Sequence, residues 1–384
     1  MLPRSQAQEL LNEYSSDVTV GTVGSHSALD IADGAATEGL PTLVLAQAGR
    51  ERTYAQYFRA IRDPTGRLMR GCVDEVWTYA KFSEILAPAE QERLRRKNVL
   101  LIPNRALSSY VSIEGLENEL RVPLVGSRAL LRIEERGERD NYYTLLRHAR
   151  IPAPEHISTP QEIDGLVIVK LPHASRRLER GFFTAASFDE YERKIARLSA
   201  EGVIDPRDLA AARIERYILG PVFNFNFFAS PIAPAPEALE LLGVDERRES
   251  SLDGLVRLPA AQQMELPESS RIPRYTVVGH GTLTVRESLL EEAFQLGERF
   301  VTAAREHYPP GILGPFCLQT CVDADGHLTV FDVAVRIGGG TNIHLALGHP
   351  YGNALWRMPM STGRRLAVEI RRAMEEDRLK ELVT

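Results

Sequence analysis

The sequence predicts a parallel α/β layer at its start and an α+β region after it. Three stretches carry that expectation. Residues 18–47 run strand, glycine-bearing turn, helix, strand ("VTVGTV", "GSHSALDIADGAATEG", "PTLVLA"), the opening of a parallel layer. Near residue 126 the character changes to the charged, helix-like run "ALLRIEERGERDNYYTLLRHA". Close to the C-terminus, "CLQTCVDADGHLTVFDVAV" sets two alternating runs on either side of an Asp-Gly pair, as in an antiparallel hairpin.

In chain order, a helix is expected over 5–14, followed by the strand, turn, helix and strand of 18–47. Further strands fit "DEVWTY", "NVLLIP" and "VPLVG", with a charged helix over 88–97 between the first two. The charged helix of 129–149 ends before "RIPAPE", whose prolines cannot continue it. "DGLVIVKLP" is a short apolar run suited to a buried strand. "SFDEYERKIARLSAEG" reads as a helix, "ARIERYILGPVFNFNFFAS" as an extended aromatic run, and "SLLEEAFQLGERFVTAAREH" as a long amphipathic helix. "SPIAPAPEA", 230–238, fits a surface loop between strands.

At 384 residues the chain can bury a large core and build two domains, or one with a lid. A net charge of −6 gives no basic footprint for nucleic acid. No stretch reaches the length of a membrane span, and the first residues lack a secretory h-region. Cys72, Cys317 and Cys321 have neither metal-site nor paired spacing, which fits a reducing cytoplasm. No histidine pair has zinc spacing, and no G-x-S-x-G elbow occurs. Only five residues are lysine, so a lysine inside a strand stands out.

Four places can carry chemistry. If Asp325-Gly326 is a two-residue turn, counting outward sets Gln319 opposite Asp332, with Asp332, Ala334 and Arg336 on one face and Phe331, Val333, Val335 and Ile337 on the other. Amide and carboxylate oxygens so placed suit a hard cation such as magnesium, with Arg336 available to a phosphate and Asn342 to supply another oxygen or amide contact; a hydrogen-bonded cross-strand pair with a solvent-exposed Arg fits equally. The "GGGTN" after the strand lets backbone approach a ligand closely. Lys170 closes an apolar strand, so it either meets an anion such as a nucleotide phosphate or reaches solvent from the strand end. Ser25, His26 and Ser27 sit where a strand opens into a helix, a phosphate-binding turn or simply a tight one. Around Glu215, extended backbone could read an adenine edge or form plain core strand.

Taken in order, these features resemble the ATP-grasp ligases. The segments "GSHSALDIADGA", "IDGLVIVK", "ELLGVDERRESSLDGLVRLPA", "PPGILGPFCLQT", "RIGGGTN" and "MSTGRRLAVEI" are similar, from about residue 16 to the C-terminus, to the archaeal formate-dependent FAICAR synthetases of purine biosynthesis. The resemblance implies an ATP-grasp fold preceded by a Rossmann-like domain. The first domain would take 1–125 and the ATP-grasp domain 126–384, with a small lid lobe about 150–220 and a metal-binding lobe about 221–384. It implies a cytoplasmic homo-oligomer that uses ATP and Mg2+, with Mn2+ a substitute, and takes AICAR and formate as substrates, with neither nucleic acid nor membrane as partner. Formate would be activated as formyl phosphate and captured by the 5-amino group of AICAR. Carried residue by residue, the resemblance implies ATP contacts at Lys170, Arg180 and the Glu215, Arg216, Tyr217, Ile218 hinge. It implies AICAR contacts at Ser25, His26, Ser27 and Ser251, metal ligands at Gln319 and Asp332, and Arg336 and Asn342 as catalytic. The chain departs from the family pattern in several places. Asp332 stands for a glutamate, Ala106 for a serine and Ser251 for an asparagine; "PHASRRLERGFF" replaces a glycine-rich segment; and the helix before "RIPAPE" has no lysine. Those departures leave open a divergent ligase with another acid or amine, or a non-catalytic nucleotide or ribotide binder.

Overall fold

The computed structural model describes residues 1–15, 17–171, 182–235, 237–271 and 276–384. The first layer is a four-stranded parallel sheet of β1 (Thr19–Val23), β2 (Thr42–Gln47), β5 (Glu75–Tyr79) and β6 (Val99–Ile102), in the order β5-β2-β1-β6. β3 (Ile61–Arg62) and β4 (Leu68–Arg70) form a small hairpin beside it. The chain moves outward from β1 through β2 to β5, then returns to place β6 on the other flank of β1. The strand order therefore reverses between β1 and β6, and open α/β sheets form their ligand crevice at such a point. Asn104, at the end of β6, fastens the two loops there: its Nδ2 donates to the carbonyls of Val23 (2.7 Å) and His26 (3.2 Å), while its Oδ1 accepts from the Leu107 amide, capping the helix Arg105–Tyr110.

The second sheet is antiparallel, in the order β7-β10-β8-β9: β7 (His156–Ile157), β8 (Val167–Lys170), β9 (Phe182–Ala185) and β10 (Arg213–Arg216). The third has five antiparallel strands, β11 (Val222–Ala229), β12 (Leu239–Glu249), β13 (Val277–Thr282), β14 (Gly314–Val322) and β15 (Leu328–Ala334), in the order β13-β12-β11-β14-β15. One face of the third sheet packs on the helix Glu287–His307 through an aromatic stack of Phe227 on Phe316 (5.2 Å) and Phe316 on Phe300 (5.6 Å). The opposite face is polar and looks into a cleft.

Most expected elements form within a residue or two of their sequence limits, with four differences. The aromatic run 212–230 is two strands in different sheets, because the chain crosses from β10 to β11 through Gly220, where a Cβ would lie 1.8 Å from the Val322 carbonyl oxygen. "VPLVG" forms only bridges, Leu124 to Leu101 and Val125 to Val383. The charged helix of 129–149 is broken: Arg128–Leu131 and Tyr142–His148 are helical, with a 3-10 turn at Arg132–Glu134 after the first. Its charges pair in space instead of along a helix face, Arg132 with Glu117 (2.6 Å) and Glu138 (2.8 Å), and Asn141 caps the second helix. Gly137 sits in the break, where a helix would lose about 1 kcal/mol relative to alanine.

The hairpin also differs from its expected form. Val322 pairs with Leu328, and the loop 323–327 closes with Asp323 N–H on the His327 carbonyl and Gly326 in the left-handed region (φ 85°), so the turn is one residue longer than a two-residue type. A bulge between Val330 and Asp332 then adds a residue to β15, and the two shifts cancel, leaving Gln319 opposite Asp332 as expected. The bulge reverses the faces before it. Val330 joins the core with Val333 and Val335, while Phe331 lines the cleft, the opposite of the simple alternation.

Candidate functional site

The three sheets enclose a cleft of about 1230 Å³. The first layer contributes Ser25, His26 and Arg105; the second sheet, Lys170 and Glu215; and the third, Asn224, Asp245, Arg247, Gln319 and Asp332. On the third sheet these side chains form one row across the strands. Thr282 pairs with Asp245, Asp245 with Asn224, Asn224 with Gln319 and Gln319 with Asp332, so the register sets a polar line on a single face.

At one end of that line, Asp332 is ringed by cations. Burial would raise its carboxyl, but Arg136, Lys170, Arg247 and Arg105 together hold it below the usual carboxylate value, and Arg136 lies 3.9 Å away. Gln319 Oε1 accepts from the Arg247 guanidinium. A carboxylate and an amide oxygen on facing strands fit a hard cation that takes its remaining ligands from phosphate and water. The described residues hold no group of three or more His, Cys, Asp or Glu that would cage a metal without such help.

Lys170 is buried at 5% exposure, so the solvent-reaching alternative is excluded. Its ammonium meets Glu215 (2.6 Å), the Tyr143 hydroxyl (2.9 Å) and the Phe331 carbonyl (3.0 Å). Burial pulls the Lys170 pKa down, and Glu215 opposes that pull. The Phe331 carbonyl belongs to the β15 bulge, which links the lysine of the second sheet to the strand that carries Asp332 in the third. Glu215 is fully buried and also binds Arg213 (2.6 Å), so its side chain is an ionic strut. The hinge after it, Arg216, Tyr217 and Ile218, lines the cleft, and the Arg216 side chain turns outward to Glu155 (3.2 Å) and Asp164 (2.6 Å).

Ser25 and His26 face the cleft from the end of β1. Burial first, then His280, Arg336, Arg247 and Arg105, lowers the His26 pKa, which favours the neutral imidazole. Ser27 is buried, stands in the left-handed region (φ 67°) and donates its hydroxyl to the Gly338 carbonyl, anchoring the glycine loop and leaving none of its side chain to the cleft. That loop needs its glycines for packing. A Cβ on Gly340 would lie 2.2 Å from Asp245 Oδ2, and one on Gly338 2.2 Å from Asn226 Oδ1.

Arg336 lines the cleft at 7% exposure, tied to Glu134 (3.2 Å) and to the Ile337 carbonyl (2.7 Å). Asn342, expected to be catalytic, is not brought to the cleft: it is exposed, and its Oδ1 accepts from the Asp30 amide in the first turn of the helix Ala28–Thr37. Ser251 lies outside the lining, next to Leu252 and Asp253, which belong to it. Ala106 lines the cleft at 2% exposure. Arg180 falls outside the described residues. Sequence reasoning missed Glu134 and Arg136, hidden in the apparent helix, and the Asp245, Arg247 and His280 group. The alternation in "LLGVDER" was the available signal for the latter.

Residues 20–157 match a family model described as a protein of unknown function (DUF1246), and residues 190–384 one described as a domain of unknown function (DUF1297). Proteins named 5-formaminoimidazole-4-carboxamide-1-(beta)-D-ribofuranosyl 5'-monophosphate synthetase are similar along the whole chain. That of Methanopyrus kandleri is 38% identical over 100% of both chains, and that of Methanothermobacter thermautotrophicus 39% over 99% of both. The crystal structure of an IMP biosynthesis protein PurP from Thermococcus kodakaraensis, 30% identical, superposes with a TM-score of 0.69 over 95% of this chain and 100% of its own. An ADP complex of N5-carboxyaminoimidazole ribonucleotide synthetase, 12% identical with a TM-score of 0.56 over 90% of this chain and 78% of its own, shares the fold, which is that of the ATP-grasp enzymes. With more than a third of its residues shared from end to end, and a parallel layer feeding the same cleft as two antiparallel sheets, the chain belongs to the family of 5-formaminoimidazole-4-carboxamide ribonucleotide synthetases.

Proposed function

We propose that the protein is an ATP-dependent ligase that formylates AICAR with formate, releasing ADP and phosphate by way of formyl phosphate. The observation that carries this reading is the single cleft onto which the Ser25–His26 turn, the Arg216–Ile218 hinge, Lys170 and the Gln319–Asp332 pair all open. In this reading the ribotide phosphate rests at the amides and side chains of Ser25 and His26, at a helix N-terminus. The hinge backbone reads adenine. Lys170 and Arg336 face the phosphates of ATP, and Arg180, outside the described residues, is a further proposed ATP contact. Magnesium, or manganese in its place, held by Gln319 and Asp332, would neutralise phosphate charge and align the transfer. To admit it, Arg247 must release Gln319 Oε1, which makes that guanidinium free to turn to a phosphate oxygen. Glu134 fixes Arg336, and Glu215 with Tyr143 fixes Lys170, so the cationic groups are held before substrate arrives. The enzyme would work on small molecules as a cytoplasmic homo-oligomer.

The test is direct. Protein with ATP, magnesium, AICAR and formate should yield a formylated ribotide by mass spectrometry and stoichiometric phosphate, and omission of formate should abolish both. Phosphate release that ignores formate would sink the proposal. Ala106 favours one second reading, a ligase for a different amine, because a methyl group lines the wall where the family pattern has a hydroxyl. Loss of one neutral hydrogen bond there is worth only about 0.5–1.5 kcal/mol, too little to exclude AICAR.

A further inference from the structure

The polar row continues past the metal pair, and its far end is built around Asp245. This carboxylate is 1% exposed and accepts from Asn226 Nδ2 (2.7 Å), Asn224 Nδ2 (2.8 Å) and His280 Nδ1 (3.0 Å). Burial alone would raise its pKa, yet these three donors hold it below the usual carboxylate value, so it is an acceptor only. An acceptor at the centre dictates how each partner turns. His280 keeps its proton on Nδ1 and leaves Nε2 as the acceptor nitrogen, while both asparagines point their amide oxygens away. Asn226 Oδ1 is covered by Gly338. Asn224 Oδ1 is buried, has no hydrogen-bond partner among the described residues, and belongs to a residue that lines the cleft beside His280. An orphan acceptor next to a basic nitrogen, both braced by one carboxylate, is a seat for an N–H donor.

We propose that Asn224 and His280 seat the attacking amine, with Asp245 as the residue that positions both. The inference rests on the ligase reading. Asn224 Oδ1 accepts one N–H of the substrate amino group, whose lone pair attacks the carbonyl carbon of the acyl phosphate. A C–N bond forms, the C–O bond to the phosphoryl group breaks, phosphate leaves with the electron pair, and the second amine proton passes to His280 Nε2 and then to solvent. Asn224 pairs directly with Gln319, about 5 Å away at the sheet spacing, so the amine it seats lies beside the metal-held phosphoryl group and its acyl carbon, and Asp245 braces that seat from one strand farther on.

Hydroxylamine separates the two half-reactions, because it captures activated formate as a hydroxamate without needing a protein base. In His280→Gln, AICAR formylation should fall roughly 10²- to 10⁴-fold, the range of a lost general base, while hydroxamate formation and the KM for ATP stay at wild-type values. Asp245→Asn and Asn224→Ala should show the same split to a smaller degree, and imidazole should restore part of the rate to His280→Ala. Equal loss of both reactions, or full formylation by His280→Gln, would overturn the inference while leaving the ligase reading standing. A wild-type chain that makes no formylated product overturns both.

Discussion

Asp332 and Lys170 show how a single residue's surroundings set its role. Asp332 faces four cations and one amide oxygen, an arrangement suited to bringing a metal together with phosphate. Asp332→Asn should lower formate-dependent ATP turnover at least about 100-fold while leaving the thermal unfolding midpoint within a few degrees of wild type, as read by phosphate release and calorimetry. An unchanged rate would remove Asp332 from the metal site. Asp332→Glu is expected to raise the rate if the shorter carboxylate holds the metal less well. Lys170 was legible as unusual from one strand, but its partner was not, because Glu215 lies 45 positions away and only the antiparallel pairing of β8 with β10 brings them together. Lys170→Ala should weaken ATP binding and cost about 3 kcal/mol in urea unfolding, the low end for breaking a buried pair, since Arg213 still faces Glu215. Adding Glu215→Gln should recover part of that stability. If the single variant unfolds like wild type, the pair is not a strut.

At the level of elements, local signals named the type of structure better than its continuity. The hairpin register came out right only because a longer turn and a bulge offset one another, and neither is visible in alternation, since a bulge is set by what β15 must present to Lys170 and the cleft. The charged stretch 129–149 has helical periodicity, but ion pairs to Glu117 and a cap at Asn141 outweigh it. The helix Pro350–Trp356 illustrates a titratable cap: His349 Nδ1 accepts from the Tyr351 amide, while Nε2 donates to the Leu283 carbonyl (2.9 Å). Its neighbour His344, 1% exposed, has a pKa pushed down to about 4, chiefly by burial, and burial lowers His349 as well. Both rings are therefore neutral in the fold and take up protons more readily unfolded. Their contribution is complete above about pH 6.5 and is lost as pH falls toward 4, amounting to roughly 3 kcal/mol for His344. Urea unfolding at pH 7 and 5 should show the difference, and it should shrink in His344→Asn. An equal pH slope in that variant would refute the assignment.

Across the whole molecule, the end of the chain completes its beginning. The helix Thr362–Glu375 packs on Ala28–Thr37 so closely that a Cβ on Gly34 would lie 2.2 Å from the Arg364 backbone nitrogen, and one on Gly363 2.0 Å from the Asp30 carbonyl. Asp30, whose pKa burial lifts to about 6, accepts from the Gly363 amide (2.9 Å), and Thr384 pairs with Leu124. Gly34→Ala should therefore destabilise by about 1–3 kcal/mol or more, as expected for overpacking. It should also lower the affinity for a phosphorylated ligand, because the helix it displaces begins at the Ser25–His26 turn. Calorimetric unfolding and AICAR titration would measure the two effects. Wild-type values in both would show that the contact relaxes freely.

The sequence by itself determined what depends on neighbours in the chain: the α/β opening, the hairpin near the C-terminus, the strand lysine, the turn at Ser25, and the order of motifs that resembles one ligase family. Tertiary structure alone decided which of those residues share a surface. Asn342 became a helix cap and Ser27 an anchor for the glycine loop, while Glu134, Arg136, Arg247, Asp245 and His280 entered the cleft unannounced. The physical reason is that hydrophobic period reports which face of an element is buried, whereas the partner of a buried charge is chosen by sheet register and strand order. In this fold the register of four strands sets Asp245, Asn224, Gln319 and Asp332 in a row from segments as much as 108 residues apart, a line that no local pattern spells out.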